Sequence, residues 1–258
     1  MFFSMTYAED KLSRLDKLGV LDGIRWAFKA SARSSWADYT PGSGYNRSAF
    51  GSMRTSCFED RINKVFSLGP YSLSEGADAT SSMDLVREGL TDKEFTSMPK
   101  IPSGLVECTQ IINWHGWIVE DIPWMIQSFP DDSDNIDWSK KSVTKAEIAS
   151  QQSPDDLVLF NEGYETIPSV GSTQRPVFVI AHSVQVTTGK SELWFGVPTW
   201  PKGWRWKEDI LGGGNTSRGY DDGRGDLPTS PMPKNPSTVP DAKVRLRKNS
   251  ERRYMEVK

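Results

Sequence analysis

The sequence predicts an α+β protein in which N-terminal helices pack on a mostly antiparallel C-terminal β-sheet. Between residues 7 and 67, apolar side chains recur at steps of three and four residues, which is the period of amphipathic helices. From residue 102 onward, β-branched and aromatic residues with intervening turn signals are typical of strands. We expect a single domain over residues 1–211, with a helical part at 1–100 and a β-rich part at 101–211.

Two long helices open the chain. Residues 7–33 predict one or two amphipathic helices that break or bend at Gly19 or Gly23. Residues 46–67 predict a second long helix, because their apolar positions keep the helical period until the Gly-Pro pair at 69–70 stops it.

Shorter helices follow. Residues 83–90 have a weak helical pattern, and Thr91 with Glu94 forms a capping-box pattern that starts a further helix before Pro99. Residues 142–149 predict another short helix.

The strands are predicted as two hairpins. Gly116 can adopt the positive φ that a turn at 113–116 requires, and a second turn lies at 188–190. The unbroken apolar run at 177–181 indicates that both faces of its strand are covered, with the N-terminal helices as candidates for the cover. The predicted strands are residues 105–113, 117–129, 176–186 and 192–197.

The last part of the chain has a different composition. Gly, Pro, Ser, Asp and Asn dominate up to residue 240, with few large apolar side chains, so residues 212–258 predict an extended or partly disordered segment. Residues 244–247 form either an edge strand or part of a free charged end.

The net charge of −3 argues against a surface that attracts nucleic acid or anionic lipid as a whole, so a polyanion site must be local. The absence of an 18-residue apolar run and of a secretory pattern favours a cytoplasmic protein without membrane spans. Cys57 and Cys108 lack the spacing of metal ligands, so we expect reduced thiols, no metal and no cofactor.

Catalysis has one weak candidate. His182 lies in a predicted buried strand, which would perturb its pKa, and a carboxylate partner could make it a general acid-base. His115 lies in a predicted turn. The residues at 189–191 resemble the end of a phosphate-binding loop, but a predicted strand on either side favours a hairpin turn. Whether the protein is an enzyme stays open.

Three arginines recur every seven residues on the helix at 46–67. Arg47, Arg54 and Arg61 fall within about a 40° wedge that overlaps the apolar stripe. Guanidinium groups placed in this way pair with buried carboxylates, extend outward to solvent, or line a cleft that receives an anion. Only the last arrangement is functional.

A second feature interleaves aromatic rings with cations at residues 200–207. Stacking faces that alternate with positive charges suit single-stranded nucleic acid, a nucleotide or an acidic peptide. Alternatively, the tryptophans cover the sheet edge and the cations point to water. The candidate ligand-binding residues here are Trp200, Lys202, Trp204, Arg205, Trp206 and Lys207.

Together these features predict a non-catalytic binding or regulatory protein with a local basic-aromatic surface for a polyanion, nucleic acid first and a nucleotide second. The alternative is a protein–protein adaptor or a subunit of a larger intracellular complex, in which exposed tryptophans and the Pro/Ser-rich segment at 227–240 contact a partner. A third possibility is an enzyme that uses His182.

Overall fold

The computed structural model describes residues 6–39, 42, 44–72, 79–129, 133–139, 142–151, 176–185 and 190–212. Its described part confirms the α+β prediction, with helices first and a six-stranded, mostly antiparallel sheet after them. The helices are α1 (Tyr7–Lys17), α2 (Val20–Asp38), α3 (Arg47–Val65), α4 (Ala79–Arg87), α5 (Asp92–Ser97) and α6 (Val143–Ala149). The strands are β1 (Glu107–Ile111), β2 (Trp114–Val119), β3 (Ile122–Ser128), β4 (Phe178–Val184), β5 (Ser191–Pro198) and β6 (Trp204–Asp209).

Local sequence signals set the helix ends. The chain breaks at Gly19, whose φ of 74° is easy only for glycine, so α1 and α2 are separate helices. Gly23, the other predicted break, lies inside α2. The capping box of Thr91 and Glu94 begins α5 as predicted, and the Asn46 side chain accepts the N–H of Ala49 at the start of α3.

The sheet has the strand order β1-β2-β3-β4-β5-β6, and only the β3/β4 pair is parallel. The prediction of a single hairpin in residues 105–129 is wrong, because turns at 112–113 and 120–121 divide this region into three strands. Gly116 lies within β2 and not in a turn. A Cβ at this position would come within 2.9 Å of the carbonyl oxygen of Trp124, so close packing on β3 explains the glycine.

Both faces of β4 are covered, as the apolar run predicted. Phe178 and Ile180 belong to the main core, which α1, α2 and α3 share with one face of the sheet. Val179 and Ala181 belong to a second, smaller core on the other face, where α6 and Trp138 pack. The sheet is therefore a middle layer between two apolar clusters.

β6 was not predicted as a strand. It pairs antiparallel with β5, and the register shifts between Val197 and Pro198. Of the segment predicted at 212–258, only Gly212 is described, so the proposed extended segment and the edge strand at 244–247 lie outside the described residues. No helix in the described part of the chain has the length and apolarity needed to cross a membrane.

Candidate anion-binding cavity

A cavity of about 610 Å³ lies at the end of the sheet where the parallel strands β3 and β4 finish. The α3 helix forms one wall, and Lys145 of α6 contributes from the opposite face of the sheet. This volume is within the range of small-molecule sites, and the carboxyl ends of parallel strands are a common place for ligands. The cavity is therefore the first candidate for a functional site.

The α3 wall has room for a ligand because its side chains are small. Ser48, Ser52 and Thr55 recur at the helical period and face the cavity together with Glu59. Arg54 lies at the border between this polar face and the buried side of the helix. The wall thus combines hydroxyl groups with one acidic and one guanidinium side chain.

Arg54 is only 4% exposed, yet no acidic side chain pairs with it among the described residues. It donates hydrogen bonds to two carbonyl oxygens at the end of β4, those of Val184 at 3.2 Å and His182 at 3.4 Å. A guanidinium has five N–H groups, so three have no protein acceptor there, and the buried Nε is one of them. Burial lowers the pKa of Arg54 to about 10, which leaves the group charged at neutral pH.

Lys145 is the second cation of the cavity. It lies in the first turn of α6, which begins where the Ser142 hydroxyl accepts the backbone N–H of Lys145. Its ammonium group is half-buried and forms no ion pair with a described residue, and burial lowers its pKa. Burial raises the pKa of Glu59, and the nearby His115 opposes that rise. Within the described lining, two cations therefore face a single acid.

Trp114 stands at the side of this cavity. Trp114 is the first residue of β2, the strand next to β3, and it is 46% exposed. Trp114 and Lys145 also border a second cavity of about 210 Å³, together with Met125, Ser142 and Thr144. The two cavities are thus adjacent and share two lining residues.

Arg61, another arginine of the predicted wedge, differs from Arg54 in its surroundings. Arg61 is buried and pairs with Asp60, and it also donates to the carbonyl oxygen of Gly89 at 2.5 Å. Arg61 thus has an acidic partner, which it shares with the buried Lys64, whose ammonium lies 3.2 Å from Asp60. Arg47 is the first residue of α3, but its side chain lies outside the described residues.

The tryptophans of residues 200–207 are used largely in packing. The Trp204 ring meets Trp138 edge to face at 5.1 Å and donates from Nε1 to the carbonyl of Ser133 at 2.7 Å. Trp206 packs against Phe195 on the other side of the sheet. The register shift in β6 accounts for this division between the two faces. Trp200 differs, with 48% of its surface exposed.

The cations of this segment lie apart from the cavity. Lys207 pairs with Asp134 at 2.6 Å, and its ammonium group lies 4.1 Å from the centre of the Trp194 ring. Lys202 and Arg205 are exposed on the surface. Since none of residues 200–207 lines the cavity, the fold does not bring the two predicted basic features into one cleft.

His182 is completely buried in the main core. Its ring lies 5.0 Å from that of Phe58 and 6.2 Å from that of Phe28, and neither ring nitrogen has a hydrogen-bond partner among the described residues. Burial, with the charge of Arg54, holds the pKa of His182 well below its usual range. The imidazole is thus neutral, and the described residues offer it no carboxylate for acid-base work.

Three residues of the cavity were not found from the sequence: Glu59, Lys145 and Trp114. The small polar face of α3 was a usable signal for Glu59, because Ser52 and Thr55 repeat on the same side. No signal in the sequence placed Lys145 of α6 and Trp114 of β2 at the same cavity. In the described part of the chain, no group of three His, Cys, Asp or Glu side chains is arranged to hold a metal ion.

Comparison of the chain with protein-family models, with curated proteins and with solved structures found no match in any of the three.

Proposed function

We propose that this protein binds a small anionic molecule in the cavity between α3 and α6. The observation that supports the proposal is the buried Arg54 guanidinium, held by two carbonyl oxygens and without an acidic partner among the described residues. An uncompensated buried charge costs several kcal/mol. A phosphate or carboxylate group on a ligand would offset that cost, and Lys145 would supply a second charge-assisted contact.

The geometry favours a small ligand over nucleic acid. A nucleic-acid strand needs an extended basic surface with free stacking faces. Here Trp204 and Trp206 pack within the protein, and Lys207 already pairs with Asp134. The cavity, in contrast, is concave and bordered by an excess of cations in its described part. Of the two polyanion ligands predicted from the sequence, the nucleotide therefore fits better.

The adaptor hypothesis has weaker support. Large apolar side chains are exposed on α4, on β2, on α6 and beside β6, which are different elements of the fold. Exposed apolar residues are common on protein surfaces and do not by themselves indicate a partner.

Isothermal titration calorimetry with inorganic pyrophosphate at low ionic strength tests the proposal. We expect measurable binding that weakens as salt is added, because screening reduces the attraction between the charges. Lys145→Met should weaken binding at least about tenfold, equivalent to about 1.4 kcal/mol. Lys202→Met is the matched control, because Lys202 is exposed and lies outside the cavity; it should leave the affinity unchanged.

Arg54→Met should weaken binding further, provided that urea unfolding shows the variant to be folded. The proposal fails if pyrophosphate does not bind at low ionic strength. It also fails if Lys145→Met and Lys202→Met reduce the affinity equally, because binding would then reflect the overall charge and not the cavity.

A further inference from the structure

The smaller cavity suggests what the rest of the ligand is. Its volume of about 210 Å³ is below the usual range of about 300–1,000 Å³ for complete small-molecule sites, so it fits one part of a ligand and not the whole. It adjoins the larger cavity through Trp114 and Lys145. The hydroxyl groups of Ser142 and Thr144 and the thioether of Met125 complete its described walls.

Trp114 provides a stacking surface at the junction of the two cavities. Its indole is nearly half exposed and makes no ring-to-ring contact with a described aromatic side chain. Indole faces stack well on nucleobases, because every base offers a flat π-face. The polar groups of Ser142 and Thr144 lie in the same cavity, where they can reach the edge of a stacked base.

The strand order relates the stacking surface to the guanidinium. β2, which begins at Trp114, pairs with β3, and β3 pairs with β4, so β2 and β4 lie two strand spacings, about 10 Å, apart. The carbonyl oxygens of His182 and Val184 at the end of β4 hold Arg54. Both Trp114 and Arg54 line the larger cavity.

We infer that the ligand is a nucleoside monophosphate whose phosphate lies at Arg54 and Lys145 and whose base stacks on Trp114. This inference rests on the proposed function. The larger cavity, which both Arg54 and Trp114 line, has a volume of about 610 Å³, within the usual range for a small-molecule site. One guanidinium and one ammonium balance a phosphate dianion, whereas a triphosphate would bring excess negative charge towards Glu59. Glu59 also offers an acceptor for sugar hydroxyl groups.

Calorimetric titrations with a graded set of probes test the inference. The probes are the monophosphates of adenosine, guanosine, cytidine and uridine, then ribose 5-phosphate, adenosine triphosphate and inorganic pyrophosphate. We expect at least one monophosphate to bind about tenfold or more tightly than ribose 5-phosphate, since a stacked base contributes that much or more. The same monophosphate should bind more tightly than its triphosphate.

A pair of tryptophan variants assigns the base to Trp114. Trp114→Leu should remove the advantage of the monophosphate and leave the affinity for ribose 5-phosphate unchanged. Trp200→Leu is the matched control, because Trp200 is exposed to nearly the same extent and lies outside both cavities. It should change neither affinity. Both positions are solvent-accessible, so neither substitution opens the core.

The outcomes separate the two proposals. If pyrophosphate and ribose 5-phosphate bind but no monophosphate binds more tightly, the inference is overturned and the proposed function stands. Equal losses in Trp114→Leu and Trp200→Leu also overturn it. If none of the probes binds, the proposed function and the inference fall together.

Discussion

His182 should make the stability of this protein depend on pH in a direction that its surroundings determine. The imidazole is completely buried against two phenylalanine rings, and burial together with Arg54 holds the pKa of His182 well below its usual range. The folded state stays unprotonated as the pH falls, whereas the unfolded state gains a proton below a pKa of about 6.5. Since the unfolded state binds more protons, stability rises with pH and is lost on acidification.

The magnitude follows from the same two states. Between about pH 7.5 and 5.5, the free energy of unfolding should fall by about 1.4 kcal/mol through this group alone. Urea unfolding at intervals across this window measures the slope, and His182→Gln should remove that contribution. Burial raises the pKa of Glu59, and a raised carboxyl pKa makes stability fall as pH rises. The contribution of Glu59 is present in the parent protein and in His182→Gln, so it cancels when their stabilities are compared.

His115→Gln is the matched control, because the chain has only two histidines and His115 is exposed. It keeps the contribution of His182 and alters only the neighbourhood of Glu59, so its slope should stay closer to that of the parent protein than the slope of His182→Gln does. The reasoning is refuted if the parent and His182→Gln lose the same stability between pH 7.5 and 5.5. Such a result would mean that the folded state takes up a proton at His182 as readily as the unfolded chain.

Three further substitutions test strand packing, helix capping and ion pairing at positions outside the cavity lining, by urea or thermal unfolding. Gly196→Ala should destabilise by about 1–3 kcal/mol, because its Cβ would come within 2.6 Å of the carbonyl oxygen of Trp206; an unchanged stability would contradict this. Thr91→Ala should cost about 1 kcal/mol through loss of the α5 cap, and no loss would show that the cap is dispensable. Asp60→Asn should cost on the order of 3 kcal/mol, because it removes the acid beside the buried Arg61; a gain in stability would oppose that account.

The predictable parts of the fold are those that short stretches of sequence specify. The capping box at Thr91 and the buried run of β4 each depend on neighbouring residues, and each was found; the helix break was predicted at Gly19 or Gly23, and the first of these is observed. The turn predicted at Gly116 was wrong because glycine occurs both in turns and where strands pack closely. Only the neighbouring strand distinguishes these two cases. The parallel pairing of β3 with β4 joins distant segments, so no local period indicates it.

The part of the candidate site that was predictable is the direction in which each residue of α3 points around the helix axis. The seven-residue repeat correctly placed Arg54 and Arg61 on the buried side of α3. It could not separate their roles, because seven residues also advance about 10 Å along the helix axis. At one position the neighbours are strand-end carbonyls and a cavity, and at the other Asp60 and Gly89.

The position along the axis of α3 decides which of Arg54 and Arg61 is available to a ligand. Carbonyl oxygens fix the orientation of the Arg54 guanidinium but leave its positive charge without an acidic partner among the described residues, whereas Arg61 pairs with the carboxylate of Asp60, which it shares with Lys64. Of the two described arginines of the repeat, Arg54 lines the cavity and Arg61 does not, and the second cation of the site comes from Lys145 on the far side of the sheet. A repeat in the sequence describes the faces of one helix. This cavity also includes Lys145 of α6, from the other face of the sheet, which a repeat within α3 cannot indicate.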